Sequence, residues 1–249
     1  MRFYLLLGLV LMLSYQPLAQ KKYNNDVHAI YLNFSGAYQM PQGDLKLRYG
    51  DNSNVGIQAE WITGKTNMIF GLNAGFLYGN KVKENIEHLF LYKGVMLGTD
   101  QTATALYKKE RGTLYGAHFG KLFAINHAKN PRSGIRATLG LGLLSHWIKI
   151  TDEFKSANQF QGEYVKGYDR LTRGIAITPF LGYQYTSLSR YLNVSIGVEY
   201  TASFTKSHRS WDYDLLAADT KRRKDGLLGF RFAFSLPLYI GDSKTDITY

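Results

Sequence analysis

Residues 226–240, Gly-Leu-Leu-Gly-Phe-Arg-Phe-Ala-Phe-Ser-Leu-Pro-Leu-Tyr-Ile, decide the fold of this chain. Large apolar residues stand at every second position from Leu228 to Ile240, and most residues between them are small or polar. A period of two predicts a β-strand with one apolar face. The alternation exceeds an ordinary strand of about five or six residues and fits a tilted strand across a bilayer, which needs about nine to eleven.

The same alternation recurs along the whole chain. It predicts strands at residues 29–38, 54–63, 68–78, 112–123, 133–150, 173–185, 191–203 and 226–240. The links between them alternate between long and short. An even number of strands joined in this way is typical of membrane barrels, which have tight turns on the periplasmic side and longer loops outside. We therefore predict one all-β domain over residues 29–240, an eight-stranded antiparallel up-and-down transmembrane β-barrel.

A soluble lipocalin-like barrel or sandwich is the alternative, because the period alone does not say whether the apolar faces point in or out. No segment after the N-terminal run has the roughly 18 consecutive apolar residues of a membrane helix. Aromatic residues such as Trp61, Tyr78 and Trp147 lie near predicted strand ends, where membrane proteins carry interfacial belts. These residues, the link lengths and the N-terminal segment favour the outward orientation.

The two ends of the chain differ from the barrel. Residues 1–20 carry Arg2, an apolar run at 3–13 and a processing point near Ala19, which predicts a cleaved signal peptide and export. Residues 21–28 form a polar lead, and residues 241–249 form a short periplasmic tail. The chain has no cysteine, which excludes a lipoprotein anchor and a disulfide framework. For an exported chain, the net charge of +11 indicates lipid phosphates as partners and not nucleic acid.

Two local features modify this plain barrel. In the longest link, residues 79–111, Val82, Ile86 and Phe90 recur at helical spacing and predict a short helix. In the sixth strand, Pro179 lacks a backbone donor, and we expect a β-bulge at that point.

The final strand also carries a resemblance to known proteins. Residues 230–240 look like the C-terminal insertion signal of the small outer-membrane β-barrels, the OmpA/OmpX-like family, and the resemblance covers residues 29–240. The family signal usually ends the chain at an aromatic residue, whereas here residues 241–248 precede Tyr249. The resemblance implies the outer membrane of a Gram-negative bacterium and a structural or interaction role in a cell-envelope assembly. The basic, Tyr-rich composition also resembles porin-T-like barrels, which implies a role in type 9 protein secretion.

If the apolar faces point to lipid, the alternate residues fill the lumen. They include a set of charged and titratable side chains: Glu60, His118, Arg136, Glu199 and Arg231. Acids and bases in a narrow barrel must pair, because an unpaired buried charge costs several kcal/mol. We expect a polar network that fills the lumen. Glycines on the same faces leave some room, so a gate or a small-solute channel remains the alternative.

A basic cluster precedes the last strand. It contains Lys221, Arg222, Arg223 and Lys224, and Lys206 and Arg209 lie at the start of the same loop. At the outer rim of a barrel these cations are a candidate lipopolysaccharide-binding site, through charge-assisted hydrogen bonds to phosphates. A solvated basic loop is the alternative interpretation.

Enzymatic activity is the third hypothesis, since some eight-stranded outer-membrane barrels modify lipid A with a serine, a histidine and an acid. Ser145 and His146 are adjacent, but neighbouring strand residues point to opposite faces and cannot act together directly. The six histidines are scattered and there is no cysteine, so the sequence predicts no metal site. We expect a protein that is not an enzyme and that needs no cofactor.

Overall fold

The computed structural model describes residues 27–99, 103–126, 130–152, 154, 156–188 and 193–240. Within these ranges no helix is long and apolar enough to span a membrane. The predicted signal peptide, most of the predicted lead and the predicted C-terminal tail lie outside the described residues.

Eight long strands form a closed antiparallel barrel. Their bounds are β1 His28–Gly43, β2 Asn52–Ile62, β3 Met68–Gly79, β7 Leu106–Asn126, β8 Asn130–Asp152, β9 Thr172–Thr186, β10 Asn193–Ser207 and β11 Arg222–Ile240. Each strand pairs with the next one along the chain, and β11 returns to pair with β1. The predicted eight-stranded up-and-down barrel is confirmed. The closing pair runs from His28 opposite Ile240 to Gly43 opposite Asp225.

The apolar faces point outward. In β11, Leu238 is 63% exposed, whereas Ala233 on the alternate face is 2% exposed. Side chains on the outward face of the other strands follow the same rule, as Leu141 and Ile196 show. A soluble barrel turns its apolar faces inward, because an apolar outer surface of this size would be in contact with water. The outer surface therefore defines a transmembrane β-barrel, and the soluble alternative is excluded.

The two ends of the barrel are unlike. At one end, here called the turn end, the strands are joined by residues 63–67, 127–129 and 187–192. At the other, the loop end, they are joined by loop L1 (44–51), L2 (80–105), L3 (153–171) and L4 (208–221). Several strands also continue past the apolar belt at the loop end: β7 begins at Leu106 and β11 at Arg222, earlier than the sequence pattern predicts. The wall there carries charged outward residues such as Lys109 and Lys149.

The long loops fold into a cap over the loop end. Its core contains buried residues from L1, L2, L3 and the strand ends, among them Leu45, Tyr49, Ile86, Ile148, Phe160 and Tyr168. Backbone bonds join the loops: Thr99 donates to the carbonyl of Ser156 at 2.8 Å, and Tyr213 donates to that of Gly167 at 3.0 Å. L1 contributes one short helix, α1, Leu45–Arg48.

The predicted helix in L2 is wrong. A 3-10 turn at His88–Phe90 leads into a small antiparallel sheet of β4 Leu91–Tyr92, β5 Val95–Leu97 and β6 Ala103–Thr104. Lys93 and Gly94 both have positive φ, at 49° and 81°, which forms the tight turn of the hairpin between β4 and β5. The apolar spacing has another cause, because Val82, Ile86 and Phe90 all pack into the cap core.

The predicted bulge at Pro179 is also wrong. The register is unshifted on both sides: Pro179 lies opposite Leu139 on β8, and the pairs with β10 resume at the same register from Ala202 opposite Ile177. The proline interrupts only the ladder to β10, next to Glu199 opposite Phe180, without adding a residue to the strand.

Candidate functional site

The lumen holds two groups of charged side chains. The first joins three strands: His118 Nε2 lies 2.9 Å from Glu60 Oε1, and Arg136 forms an ion pair with the same carboxylate oxygen. Arg136 Nη1 also donates to Gln184 Oε1 at 3.0 Å. Glu60 and Arg136 are almost completely buried. One buried carboxylate oxygen of β2 therefore contacts a histidine of β7 and an arginine of β8 inside the lumen.

The second group lies around Glu199. Arg231 Nη1 donates to Glu199 Oε2 at 3.1 Å, and Gln39 Nε2 donates to Glu199 Oε1 at 3.1 Å. The guanidinium carbon of Arg231 lies 3.7 Å from the centre of the Phe180 ring, which adds a cation–π contact. The structure thus brings Glu60, His118 and Arg136 together, and places the other two predicted residues in a separate pair.

Sequence reasoning missed two members of these groups, Phe180 and Gln39. By the alternation of β9, Phe180 lies on the inward, polar face of the strand. That alternation was the sequence signal that could have placed Phe180 in the lumen. Gln39 was assigned to a loop because the apolar pattern of β1 ends before it, although the strand continues to Gly43.

The lumen glycines accommodate these side chains. A Cβ atom on Gly71 would lie 2.7 Å from the His118 ring, and one on Gly197 would lie 2.7 Å from Phe180 Cζ. In the sequence analysis these glycines left room for a small-solute channel. In the structure, neighbouring side chains occupy most of that room. What remains beside His118 and Arg231 is a cavity of about 50 Å³, which has room for a few water molecules.

A third buried pair lies under the cap. His146 Nε2 is 3.0 Å from Asp225 Oδ2, and the hydroxyl of Thr205 donates to the same oxygen. The Tyr49 ring stands edge-on to the His146 ring with centroids 5.6 Å apart. Ser145 faces the opposite side of β8, as predicted. His118 and His146 thus each contact a carboxylate through Nε2, and among the described residues neither is hydrogen-bonded to a serine.

A network of charges ties the loops together at the mouth. Arg170 of L3 contacts Glu84 of L2 at 2.8 Å and Asp212 of L4 at 3.1 Å, and it also pairs with Asp214. Burial alone would lower the pKa of Arg170, but hydrogen bonds to Asp214 and Glu84 outweigh it and raise the pKa above its usual value. Burial also raises the pKa of Asp212.

The network continues into L1 and β11. Arg48 contacts Glu84 at 2.6 Å and Asp219 at 3.5 Å, and Arg223 also pairs with Asp219. Burial opposes ionisation of Asp219, yet its hydrogen bond and charge contact with Arg223 lower the pKa of this carboxyl. The charge network, defined as Arg48, Glu84, Arg170, Asp212, Asp214, Asp219 and Arg223, fixes the four loops relative to the barrel.

The six predicted rim cations divide into two sets. Three are held by loop carboxylates: Arg223 pairs with Asp219, Arg209 Nε donates to an Asp169 oxygen at 2.9 Å, and Lys221 lies 3.2 Å from Asp44. The other three point outward from the wall and are exposed: Lys206, Arg222 and Lys224.

No protein-family model matches the chain, and no curated protein matches it. Among solved structures, the Neisserial surface protein A is 12% identical, with 83% of this chain and 97% of that chain covered and a TM-score of 0.41. OprG, an outer membrane protein from Pseudomonas aeruginosa, is 10% identical over 86% and 97%, with a TM-score of 0.41. Ail, the attachment invasion locus protein of Yersinia pestis, in complex with the heparin analogue sucrose octasulfate, is 12% identical over 84% and 99%, with a TM-score of 0.36.

The strand order and the outward apolar faces define the class by themselves: the protein is a transmembrane β-barrel. The similarity indicated by the sequence, to small outer-membrane barrels, is also found among solved structures.

Proposed function

We propose that this protein is a non-enzymatic outer-membrane barrel that presents a fixed cap as a structural or interaction component of a cell-envelope assembly. The observation that carries the proposal is the closure of the barrel. Paired charges occupy its lumen, and four loops cover its loop end, three of them through a shared core and the fourth through ion pairs with Arg170. Such a barrel serves better as a base for the cap than as a pore.

The outer membrane fits the shape of the barrel. Both described ends of the chain, near His28 and Ile240, lie at the turn end, which faces the periplasm in bacterial barrels of this kind. The cap then faces the outside of the cell. A Gram-negative envelope and a cleaved signal peptide complete this proposal.

The cap surface supports an interaction role. Large apolar side chains are exposed on several loops, including Tyr92 (64%), Tyr164 (64%) and Leu216 (72%). Exposed apolar groups on a surface held rigid by a core and a charge network lose little entropy on binding, which favours a protein partner. A secretion-associated role is a narrower form of the proposal, in which that partner belongs to a secretion assembly.

Membrane fractionation tests the placement. We expect the full chain in the outer-membrane fraction, with a gel mobility that shifts on boiling, as folded barrels show. Recovery of a soluble periplasmic protein with no shift would reject the placement.

Site-specific photo-crosslinking in cells then tests the cap. Crosslinkers at Tyr164 and Leu216 are compared with one at Leu238, which is equally exposed but faces lipid. We expect discrete protein adducts from the two cap positions and none from Leu238. Adducts from Leu238 alone would place the interaction on the wall and overturn the role of the cap.

Planar-bilayer recordings test the channel alternative. We expect no step conductance from the reconstituted protein, because the lumen side chains are paired across it. Steady opening events in the native protein would reverse this part of the proposal.

Mass spectrometry of lipid A tests the absence of enzymatic activity. Lipid A from cells with and without the protein should be identical. A change in its acyl chains that depends on His118 or His146 would show that the protein is an enzyme.

A further inference from the structure

A row of three cations crosses adjacent strands on the outer wall near the loop end. In the strand register, Lys206 of β10 lies opposite Arg173 of β9 on one side and Arg222 of β11 on the other. Neighbouring strands are about 4.8 Å apart, so the three side chains stand beside one another. All three point outward and are exposed.

This outer-wall row stands at the upper edge of the apolar belt. One outward position closer to the turn end, Ile175 is 56% exposed and Phe204 is 60% exposed. Lys224 lies opposite Phe204 and adds a fourth outward cation. The boundary between apolar and charged wall is the depth at which lipid headgroups lie.

The charge of the row is not neutralised by the protein. Over the part of the chain that the structure describes, no carboxylate lies within ion-pair distance of Arg173, Lys206, Arg222 or Lys224. The neighbouring residue Arg223 is paired with Asp219, so acids are available at this end of the barrel but are used elsewhere. Like charges directly opposite each other in a sheet are destabilising unless an anion lies between them.

We propose that Arg173, Lys206 and Arg222, assisted by Lys224, bind the phosphate groups of an anionic glycolipid in the outer leaflet. Arginine guanidinium groups bind phosphate oxygens through paired, charge-assisted hydrogen bonds. The acyl chains of the same lipid lie against Ile175 and Phe204. A free phosphate ion has no acyl chains and would not contact these two residues. The site belongs to the wall and not to the loop, and Arg173 was absent from the cluster predicted by sequence.

The proposal rests on the outer-membrane placement, and the experiment separates the two. The full chain is purified in detergent, its fold is checked by the mobility shift on boiling, and binding is measured with bis-phosphorylated lipid A. Dephosphorylated lipid A and inorganic phosphate are the comparison probes. The test variant is Arg173→Gln, Lys206→Gln and Arg222→Gln together. The control variant removes the same charge at exposed loop and turn positions: Lys65→Gln, Lys93→Gln and Lys166→Gln.

We expect the native protein and the control variant to bind lipid A more tightly than its dephosphorylated form. The row variant should bind lipid A on the order of a hundredfold more weakly, since each of its three cations near a membrane surface contributes about fivefold. Lys206→Gln alone, at the centre of the row, should show about a fivefold loss and is the variant to measure if the triple variant does not fold.

Equal binding by the row and control variants would overturn the proposal. So would full competition by inorganic phosphate at concentrations comparable to those of the lipid, because the site would then be one for a free anion. Failure of the native chain to enter the outer membrane would reject the placement instead, and that result is read from fractionation and not from binding.

Discussion

The wall and the cap of this protein are specified in different ways. In the wall, each residue's environment follows from its parity within a strand, and the apolar residues face lipid. In the cap, residues from L1, L2 and L3 share one core, and their contacts depend on loops that are distant in sequence. A repeating local rule thus builds the wall, and long-range packing builds the cap. The lumen lies between these cases. The alternation along each strand places a residue in the lumen, but the pairing register of the strands decides which residues come into contact there.

Removal of the shared Glu60 carboxylate should have the largest effect on the stability of the barrel. Glu60→Ala leaves Arg136 and His118 buried without their partner, which should lower the free energy of unfolding by about 3–5 kcal/mol. The measurement is the urea midpoint of the folded barrel in detergent, followed by the gel shift. Glu60→Gln keeps the shape and should cost less. A midpoint unchanged in Glu60→Ala would mean that this contact does not stabilise the barrel.

A change on the lipid face should have a slightly smaller effect. Ile196 is 62% exposed on the outward face of β10, and Ile196→Arg should cost up to about 2–4 kcal/mol by placing a charge in the bilayer. Insertion into vesicles, measured by protection from protease, should fall, whereas Ile196→Leu should insert as the native chain does. Normal insertion of the arginine variant would mean that this face does not meet hydrocarbon.

The glycines allow a matched comparison between the inside and the outside of the wall. A Cβ on Gly197 would overlap the Leu181 carbonyl oxygen and lie 2.7 Å from Phe180 Cζ, so Gly197→Leu clashes with the neighbouring strand and the ring and should destabilise the barrel by about 1–3 kcal/mol. Gly36→Leu projects from the outer face, where a Cβ meets nothing within 4 Å, and should be close to neutral. Thermal midpoints of both variants in the same detergent provide the test. Equal losses would mean that the cost comes from replacing any strand glycine and not from crowding on the inward face.

The sequence was sufficient for the strands because a period of two is readable without any tertiary information. The same parity places Arg222 and Lys224 with Phe230 on the outer face and Arg223 on the inner face, and this distinction was available but not drawn. The pairing of Glu60 with Arg136 was not available, since the two lie 76 residues apart and meet only through the register of the strands between them.

The same limit applies to the row on the wall and to the cap. Arg173 joins Lys206 only because the two strands pair at that register, and no run of basic residues marks it. In L2, helical spacing of Val82 and Phe90 was a true signal of burial but not of a helix. The apolar pattern identified which residues contact the core, whereas the fold of the chain after them, a hairpin that turns at Lys93 and Gly94, carried no signal in that pattern.

The smallest expected effect concerns the cap and its pH dependence. Arg223 and other donors lower the pKa of Asp219, so the carboxylate stabilises the cap at pH values above its unfolded value of about 3.9. That stability is lost as the pH falls from this value through the lower folded-state pKa, where the carboxylate takes up a proton in the native cap. Asp219→Asn should therefore weaken the cap by about 1–2 kcal/mol at pH 7 and make little difference once the pH is below the folded-state pKa.

Hydrogen-exchange protection factors of cap amides measure this effect, for example at Tyr213 and Thr99, whose backbone N–H groups bond from one loop to another. Protection in the native protein and in Asp219→Asn should converge as the pH falls, while amides in the wall strands should not distinguish the two proteins. If the wall amides lost protection together with the cap, the cap and the barrel would unfold as one cooperative unit. The wall and the cap would then still be specified in different ways by the sequence, but they would not be stabilised separately.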